Sequence, residues 1–394
     1  MRLLTISHLY PAPGDDRHLF VHDQLLALRA LGVQPRVVSP TAWAPRLLWL
    51  DPRQRRRGLT PRHAELDGIT VDYPRILTLP RRLLYDRLTD LAGERLRFLP
   101  VVRERDIDLV HAHQALPDGA VARRLARDLD VPYVVTVHGA DVYQHLRGDG
   151  ATARRARATL GEADAVMAVS GAVAGLLAGV VDPQRLTVVA NGTSGLGAPV
   201  EPADDLVPGE PLVLTVGNLI PRKGTAYLID AIRRLRDDGR SVHLAIVGEG
   251  RLRGALAAQA AAQGVSDRVH FLGQQPHERV LDLMARAQLF ALPSWDEAFG
   301  LVYTEAMAQG VAVLATRGEG PAEFIDDGVS GFLAPPRDAA ALARVIARVL
   351  DEPGPAAAVG GAGRDVAAGF TWQRNAELTL QVYERVLADR GHRG

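Results

Sequence analysis

The sequence predicts an α/β chain made of two doubly wound parallel sheets, each with its own core. Three observations predict it. Short apolar runs alternate with helical patterns throughout; a Pro-, Gly- and acid-rich stretch without periodicity, GLGAPVEPADDLVPGE (195–210), interrupts them; and the alternation then restarts. A length of 394 residues allows roughly two to three domains. Two of about 190 residues each form the economical solution, over 1–195 and 212–370 with a linker at 196–211. Strands in the first half are expected near Leu3–Ser7, Gln34–Ser39, Leu109–Ala112, Tyr133–Val137, Ala165–Val169 and Leu186–Val189, with helices such as Phe20–Leu31 and Gly119–Leu129 between them. In the second half strands fall near Leu212–Val216, His243–Val247, Val269–Leu272, Leu289–Leu292 and Val311–Ala315. Their helices lie near Gly224–Asp237, Arg251–Gln263, His277–Arg286 and Leu301–Ala308. The amphipathic segment Thr371–Ala388 follows a Gly-rich loop and reads as a closing helix. Ligands of such sheets bind beyond the carboxyl ends of the strands, so two facing domains imply an interdomain cleft.

Charge narrows the function classes. Forty-six basic side chains balance 46 acidic ones, which excludes a generally basic nucleic-acid binder. The absence of cysteine excludes disulfide scaffolds, thiolate metal sites and thiol nucleophiles. Lys223 is the only lysine in the chain; every other basic residue is arginine. A GC-rich genome would explain so few lysines but not where this one sits. The opening apolar run, Leu3 to Ile6, is too short for a signal-peptide core, and no stretch approaches a membrane span, so a soluble cytoplasmic protein is expected. Residues 46–105 hold 14 arginines against 8 acidic residues, mixed with Leu47, Leu48, Trp49, Leu83, Leu84 and Tyr85 and preceded by Trp43. Two readings fit them. Short helices could dock on an anionic membrane, giving a peripheral station on its inner face, or a solvated helical insertion could snorkel its arginines.

Two segments carry the clearest chemistry. PSWDEAFGLVYTEAMAQG (293–310) follows a strand and opens a helix, with Glu297 and Glu305 eight residues apart. Backbone amides at Phe299, Gly300 and Leu301 would make a phosphate site at the positive helix terminus. Carboxylates flanking a phosphate must point at hydroxyls, which suggests a sugar on one side and a ribose on the other. The plainer reading is a capping Glu297 and a solvated Glu305. GNLIPRKGTAYLIDAI (217–232) also leaves a strand, at Gly217, and sets Arg222, Lys223 and Gly224 before a helix. A bound anion would explain cations there better than an exposed turn does, because an arginine-using chain has kept the compact ammonium. VGEGRLRG (247–254) fails as a dinucleotide fingerprint, since the next strand ends in Phe271, Leu272, Gly273 and Gln274 without an acid. Gly248 and Gly250 then mark a close backbone or ligand approach. TVHGAD (136–141) sets His138 at a strand end with Asp141 beyond it, and HAHQALPDG (111–119) supplies His111 and His113. The Asp-x-Asp of RDID (105–108) lies at the amino end of its strand, away from the expected site, and no His/Asp cluster has zinc spacing, so no metal is expected.

Together and in this order, GNLIPRKG, VGEGRLRGAL, DRVHFLGQQP, LPSWDEAFGLVYTEAMAQG, TRGEGPAEFIDDGVSGFLAPP and FTW (370–372) resemble the family 4 retaining glycosyltransferases of the GT-B fold. TVHGAD, AVSGAV and VVANG resemble that family's acceptor-domain segments. The resemblance covers nearly the whole chain and is strongest over 212–335. It implies an acceptor domain followed by a nucleotide-sugar donor domain, with the closing helix, 371–394, crossing back to the first and Phe370 and Trp372 locking it. It implies that Lys223 with a basic partner holds the donor diphosphate, Glu297 binds sugar hydroxyls and Glu305 the ribose. Gly217, Ala298, Phe299, Gly300 and Leu301 complete the donor set, His138 lies near the donor sugar, and Gly14, His113 and Asp141 belong to the acceptor side. Three positions depart from the family pattern. Asn218 stands where many members have the arginine of the phosphate clamp, which implies either that Arg222 substitutes or that the clamp is weaker; GDDRHLF (14–20) replaces a glycine-rich turn; and NGTSGLG (191–197) lacks the usual NGVD.

The expected activity is metal-independent, retaining transfer of a hexosyl unit from a UDP- or GDP-sugar to a saccharide or lipid-linked acceptor in cell-surface polysaccharide synthesis, with no cofactor. His138, Lys223 and Glu297 are the catalytic candidates. No residue stands out as a covalent nucleophile, which favours front-face attack. A nucleotide-sugar epimerase or a non-catalytic sugar-nucleotide binder is the alternative. A phosphorylase would need a pyridoxal-phosphate lysine, and the one lysine is already placed.

Overall fold

Apolar, β-branched runs set the strands; parallel strands joined by helical crossovers are buried on both faces, so they read as continuous apolar runs rather than alternating ones. The computed structural model describes residues 1–14, 19–43, 59–77, 96, 99, 102, 106–139, 141–193, 207 and 209–391. Two compact units result: Met1–Gly192 with Trp372–Gly394, and Thr193–Thr371.

The first unit contains β1 (Arg2–Ile6), α1 (Phe20–Ala30), β2 (Gln34–Val38), β3 (Thr41–Trp43), β4 (His63–Leu66), β5 (Ile69–Asp72), β6 (Arg75–Leu77) and β7 (Leu109–His113). It continues through α2 (Ala120–Leu129), β8 (Tyr133–Val137), α3 (Ala151–Gly161), β9 (Ala165–Ala168), α4 (Gly171–Leu176) and β10 (Leu186–Val188). Eight strands form one sheet in the order β10-β9-β8-β7-β1-β2-β5-β4, while β3 and β6 pair separately. All pairs are parallel except β4 with β5. Every residue of β7 and β8 is buried.

The second unit holds β11 (Leu212–Val216), α5 (Thr225–Asp237), β12 (His243–Val247), α6 (Arg253–Ala262), β13 (Val269–Gly273), α7 (His277–Arg286) and β14 (Leu289–Ala291). After it come α8 (Leu301–Ala308), β15 (Val313–Thr316), β16 (Phe332–Ala334), α9 (Ala339–Asp351) and α10 (Pro353–Ala367). Its six strands run parallel in the order β13-β12-β11-β14-β15-β16. The last helix, α11 (Trp372–Gly391), belongs to the first unit. There Gln24 of α1 donates to Asn375 at 2.6 Å, and the Tyr383 hydroxyl meets His111 Nδ1 at 2.7 Å. Trp372 packs on Gly192, where a Cβ would stand 2.4 Å from the indole, whereas Phe370 packs edge-to-face with Phe299 and Phe324 in the second unit.

The structure corrects the sequence reading in three places. Part of the arginine-rich segment is sheet rather than short helices: 63–77 carries β4, β5 and β6. A hairpin joins β4 to β5 through Asp67 and Gly68, both at positive φ (48° and 74°), a two-residue turn that right-twisted strands favour. Leu47, Leu48, Trp49, Leu83, Leu84 and Tyr85 lie outside the described residues, as do Asp15–His18 and nearly all of the proposed linker. The Gly-rich loop before the last helix is instead the helix α10, two of whose glycines serve packing. A Cβ on Gly360 would stand 2.2 Å from the Gly310 carbonyl, and one on Gly363 2.8 Å from that of Ser330. The strand expected from Val311 starts at Val313. No described helix is long and apolar enough to cross a membrane.

Candidate functional site

In the second unit the strand order reverses between β11 and β14. Crossovers leave in opposite directions there, and the crevice beyond the strand ends stays open to a ligand. The segments after these two strands are GNLIPRKG and PSWDEAFG, and they lock together through their main chains. The Trp295 N–H donates to the Arg222 carbonyl at 2.8 Å, and the Arg222 guanidinium donates to the Asp296 carbonyl at 3.2 Å. Gly224 makes the approach possible. It sits at φ +71°, and a Cβ there would lie 2.2 Å from the Pro293 carbonyl. Gly224→Ala should therefore lower stability by about 1–3 kcal/mol and displace the turn bearing Lys223. Urea unfolding should register a lower midpoint than in the wild type.

The lock brings Lys223 Nζ to 2.6 Å from Glu297 Oε2, with the two side chains only 13% and 11% exposed. Burial alone would raise the Glu297 carboxyl. The Lys223 ammonium, with Arg222 and the Ser294 hydroxyl, overrides it and holds the group below the usual carboxylate range. Ser294 donates to the same Glu297 oxygen at 3.0 Å, and the buried Tyr303 hydroxyl lies 3.2 Å from Ser294 while donating to the Leu292 carbonyl. Gly300 turns the chain at φ +78° into α8, whose first turn lacks a side-chain cap. Gly300, where that helix starts, follows Glu297 by three residues, and an uncapped helix N-terminus favours an anion. Ala298 and Phe299 are buried, and Glu305 is half-buried on α8. Lys223, Glu297 and Arg222 thus gather where the two segments meet, and residues 298–301 follow directly in the chain. Gly217 begins the same turn, and Asn218 is exposed on it.

Gly248 and Gly250 serve backbone packing: an added Cβ would stand 2.1 Å from the Gly217 carbonyl and 2.4 Å from that of Leu219. They hold the β12 exit against the β11 exit. Asp106 and Asp108 pair with Arg2 at the amino ends of β1 and β7. Among the described residues no group of three or more His, Asp or Glu side chains is set to hold a metal ion.

The first unit gathers a histidine cluster on β7 and β8. His113 and His138 stack at 5.3 Å with Nδ1 and Nε2 3.1 Å apart, and His111 lies 4.2 Å from His113. Asp141 is fully buried, and its carboxylate accepts the amides of Ala115 at 2.7 Å and His138 at 3.2 Å. It ties the two strand exits together, so any influence on a ligand passes through His138 or the 115 turn. His113 is 1% exposed, whereas Gly14 is exposed at φ +74°. The reversal in this sheet lies between β1 and β7. There the buried Asp118 accepts the His8 main-chain amide and approaches His8 Nδ1 at 2.8 Å. Sequence reasoning missed this pair, and Ser294, Tyr303 and Glu319 with it. Only the position of His8 just past an apolar strand could have signalled it.

Burial pulls the His111 ring down to about 3, with neighbouring His138 adding to the effect. An unfolded histidine titrates near 6.5, so the stability from neutral His111 is complete above that pH and is lost as pH falls toward 3. Asp141, raised to about 7 by burial, acts in the opposite sense and loses stability as pH rises. A comparison with His111→Gln cancels such other groups. Between pH 7.5 and 4.5 the wild type should lose about 2–3 kcal/mol more than the variant, read as hydrogen exchange in β7 and β8.

Known proteins resemble the chain along most of its length. Residues 201–366 match the glycosyl transferases group 1, and residues 19–194 the Glycosyltransferase Family 4. Glycogen synthase of Mycobacterium tuberculosis is 34% identical over 311 residues, covering 77% of this chain and 74% of that protein. The 2-deoxystreptamine glucosyltransferase of Streptomyces kanamyceticus is 30% identical, covering 92% and 96%. Among solved structures, Anabaena Alr3699/HepE in complex with UDP and glucose superposes with a TM-score of 0.73 at 20% identity, over 98% of this chain and all of that one.

Proposed function

The chain belongs to the family 4 glycosyltransferases of the GT-B fold, and from that premise we propose that it transfers a hexosyl unit, with retention and without a metal, from a nucleotide-diphosphate sugar to a glycan or lipid-linked acceptor. The observation that carries this reading is the Lys223–Glu297 pair at 2.6 Å, followed three residues later, at Gly300, by the uncapped start of α8. A diphosphate there would meet Lys223, Arg222 and the Phe299–Leu301 amides. Glu297 would turn to sugar hydroxyls, and Glu305 to the ribose. As the bond from the anomeric carbon to the phosphate oxygen breaks, negative charge grows on that oxygen, where fixed ammonium and amide donors stabilise it. The acceptor oxygen attacks on the same face, its bond to the anomeric carbon forms, and its proton passes to the departing phosphate.

Relatives support the donor class: Alr3699/HepE is complexed with UDP and glucose, and two relatives are named as a glycogen synthase and a glucosyltransferase. The arginine excess over 46–105 favours a lipid-linked acceptor in cell-surface polysaccharide synthesis at the inner membrane face. Pull-down on anionic liposomes tests that part, and an unbound protein removes it. Nucleotide release measured with and without acceptor tests the reaction. Acceptor-dependent release with an α-linked product from an α-linked donor is expected; acceptor-independent turnover would indicate an epimerase, and binding without release a non-catalytic module. A trapped glycosyl-enzyme adduct would overturn front-face attack.

A further inference from the structure

Glu297 is held by more than its side-chain partners. The turn after β15, Arg317–Gly318–Glu319–Gly320, lies along its main chain. The Glu297 N–H donates to Glu319 Oε2 at 2.9 Å, and the Glu297 carbonyl accepts from the Gly320 N–H at 2.9 Å. Two adjacent residues thus satisfy both polar groups of Glu297, as a neighbouring strand would, with a carboxylate standing in for one carbonyl. The fit is close, since a Cβ on Gly320 would lie 1.9 Å from the Ala298 carbonyl. The turn is itself anchored, because Ala322 donates to the Glu319 carbonyl at 2.9 Å and Arg317 to that of Ala334 at 2.8 Å.

Such a clamp has work to do. Asp296, just before Glu297, sits at φ +54°, a left-handed conformation that a non-glycine residue keeps only when its surroundings impose it. That kink delivers the Glu297 carboxylate to Ser294 and Lys223. Holding it with a carboxylate sets a further negative charge close to Glu297, which a neutral acceptor would avoid. In return it supplies a charge-assisted bond, about twice as strong as a neutral one.

We propose that Glu319 is a positioning residue: its carboxylate grips the Glu297 amide, fixes the Asp296 kink and so keeps Glu297 on Lys223. The proposal rests on the donor-site reading of that pair, but it concerns the ligand-free protein and is tested there. Because Lys223 is the only lysine, protein grown on lysine labelled with 13C at the ε carbon yields a single ε-methylene signal. In the wild type its two protons should be inequivalent, and less so in Glu297→Ala. Glu319→Ala should collapse the two protons toward the Glu297→Ala signal. Glu319→Gln, whose amide oxygen can still accept the N–H though more weakly, should recover most of the wild-type signal. Should the alanine variant fail to fold, Glu319→Asp, one methylene short, should give an intermediate signal. A Lys223 signal unmoved by Glu319→Ala and Glu319→Asp, or displaced as far by Glu319→Gln as by alanine, overturns the proposal. Such a result leaves the donor-site reading standing, since that reading depends on turnover and nucleotide binding.

Discussion

Lys223→Ala is expected to remove most turnover, by about two orders of magnitude, while the chain stays folded. A hydrogen bond to a charged partner contributes about 1.5–3 kcal/mol, and in the proposed reaction this one meets charge that grows as the diphosphate leaves. The contact is made to the bound diphosphate and strengthens as charge grows on it, so KM should rise while kcat falls, and kcat/KM should fall by more than kcat. Stability should also fall, because the buried Glu297 carboxylate loses its cation. Lys223→Arg is the sharper experiment in a chain otherwise supplied only with arginine. Charge is kept, but a planar fork replaces a point charge whose Nζ now sits 2.6 Å from one carboxylate oxygen. Arginine should therefore restore stability more than turnover. Steady-state nucleotide release and urea unfolding of both variants check this, and near-normal turnover in Lys223→Ala defeats the assignment.

Glu297→Ala should lose as much turnover by a different route. With the carboxylate gone, Lys223 no longer has its partner at 2.6 Å and becomes more available to a diphosphate. Binding of the free nucleoside diphosphate should hold or tighten, whereas the extra affinity contributed by the sugar should disappear. Calorimetry with UDP and UDP-glucose, and with the GDP pair, separates the two. Equal weakening of nucleotide and nucleotide-sugar would mean that Glu297 acts on the diphosphate side instead.

The strands were legible because a doubly wound sheet buries both faces: LVLTV, HLAIV and YVVTV announce themselves as continuous apolar runs. Segments whose form depends on tertiary contacts were not. The glycines of α10 read as loop formers until Gly310 and Ser330 are placed against them. The β4–β5 hairpin carried an Asp-Gly turn signal, obscured by the arginines around it. In the site, Lys223 stood out by rarity and Glu297 by its place before a helix. Glu319 had no such signal, because its partner is a main-chain amide 22 residues away. The His8–Asp118 pair spans 110 residues and appears only when β1 and β7 lie side by side.

The central claim, that a nucleotide-diphosphate sugar binds where the β11 and β14 exits meet, is tested most directly by thermal unfolding with UDP, GDP, ADP and their sugars. A ligand at about 100 times its dissociation constant adds roughly 2.7 kcal/mol to the stability of the state it binds. At least one nucleotide-sugar should raise the wild-type midpoint, and the same compound should raise that of Lys223→Ala much less. An equal rise in both proteins would contradict the account.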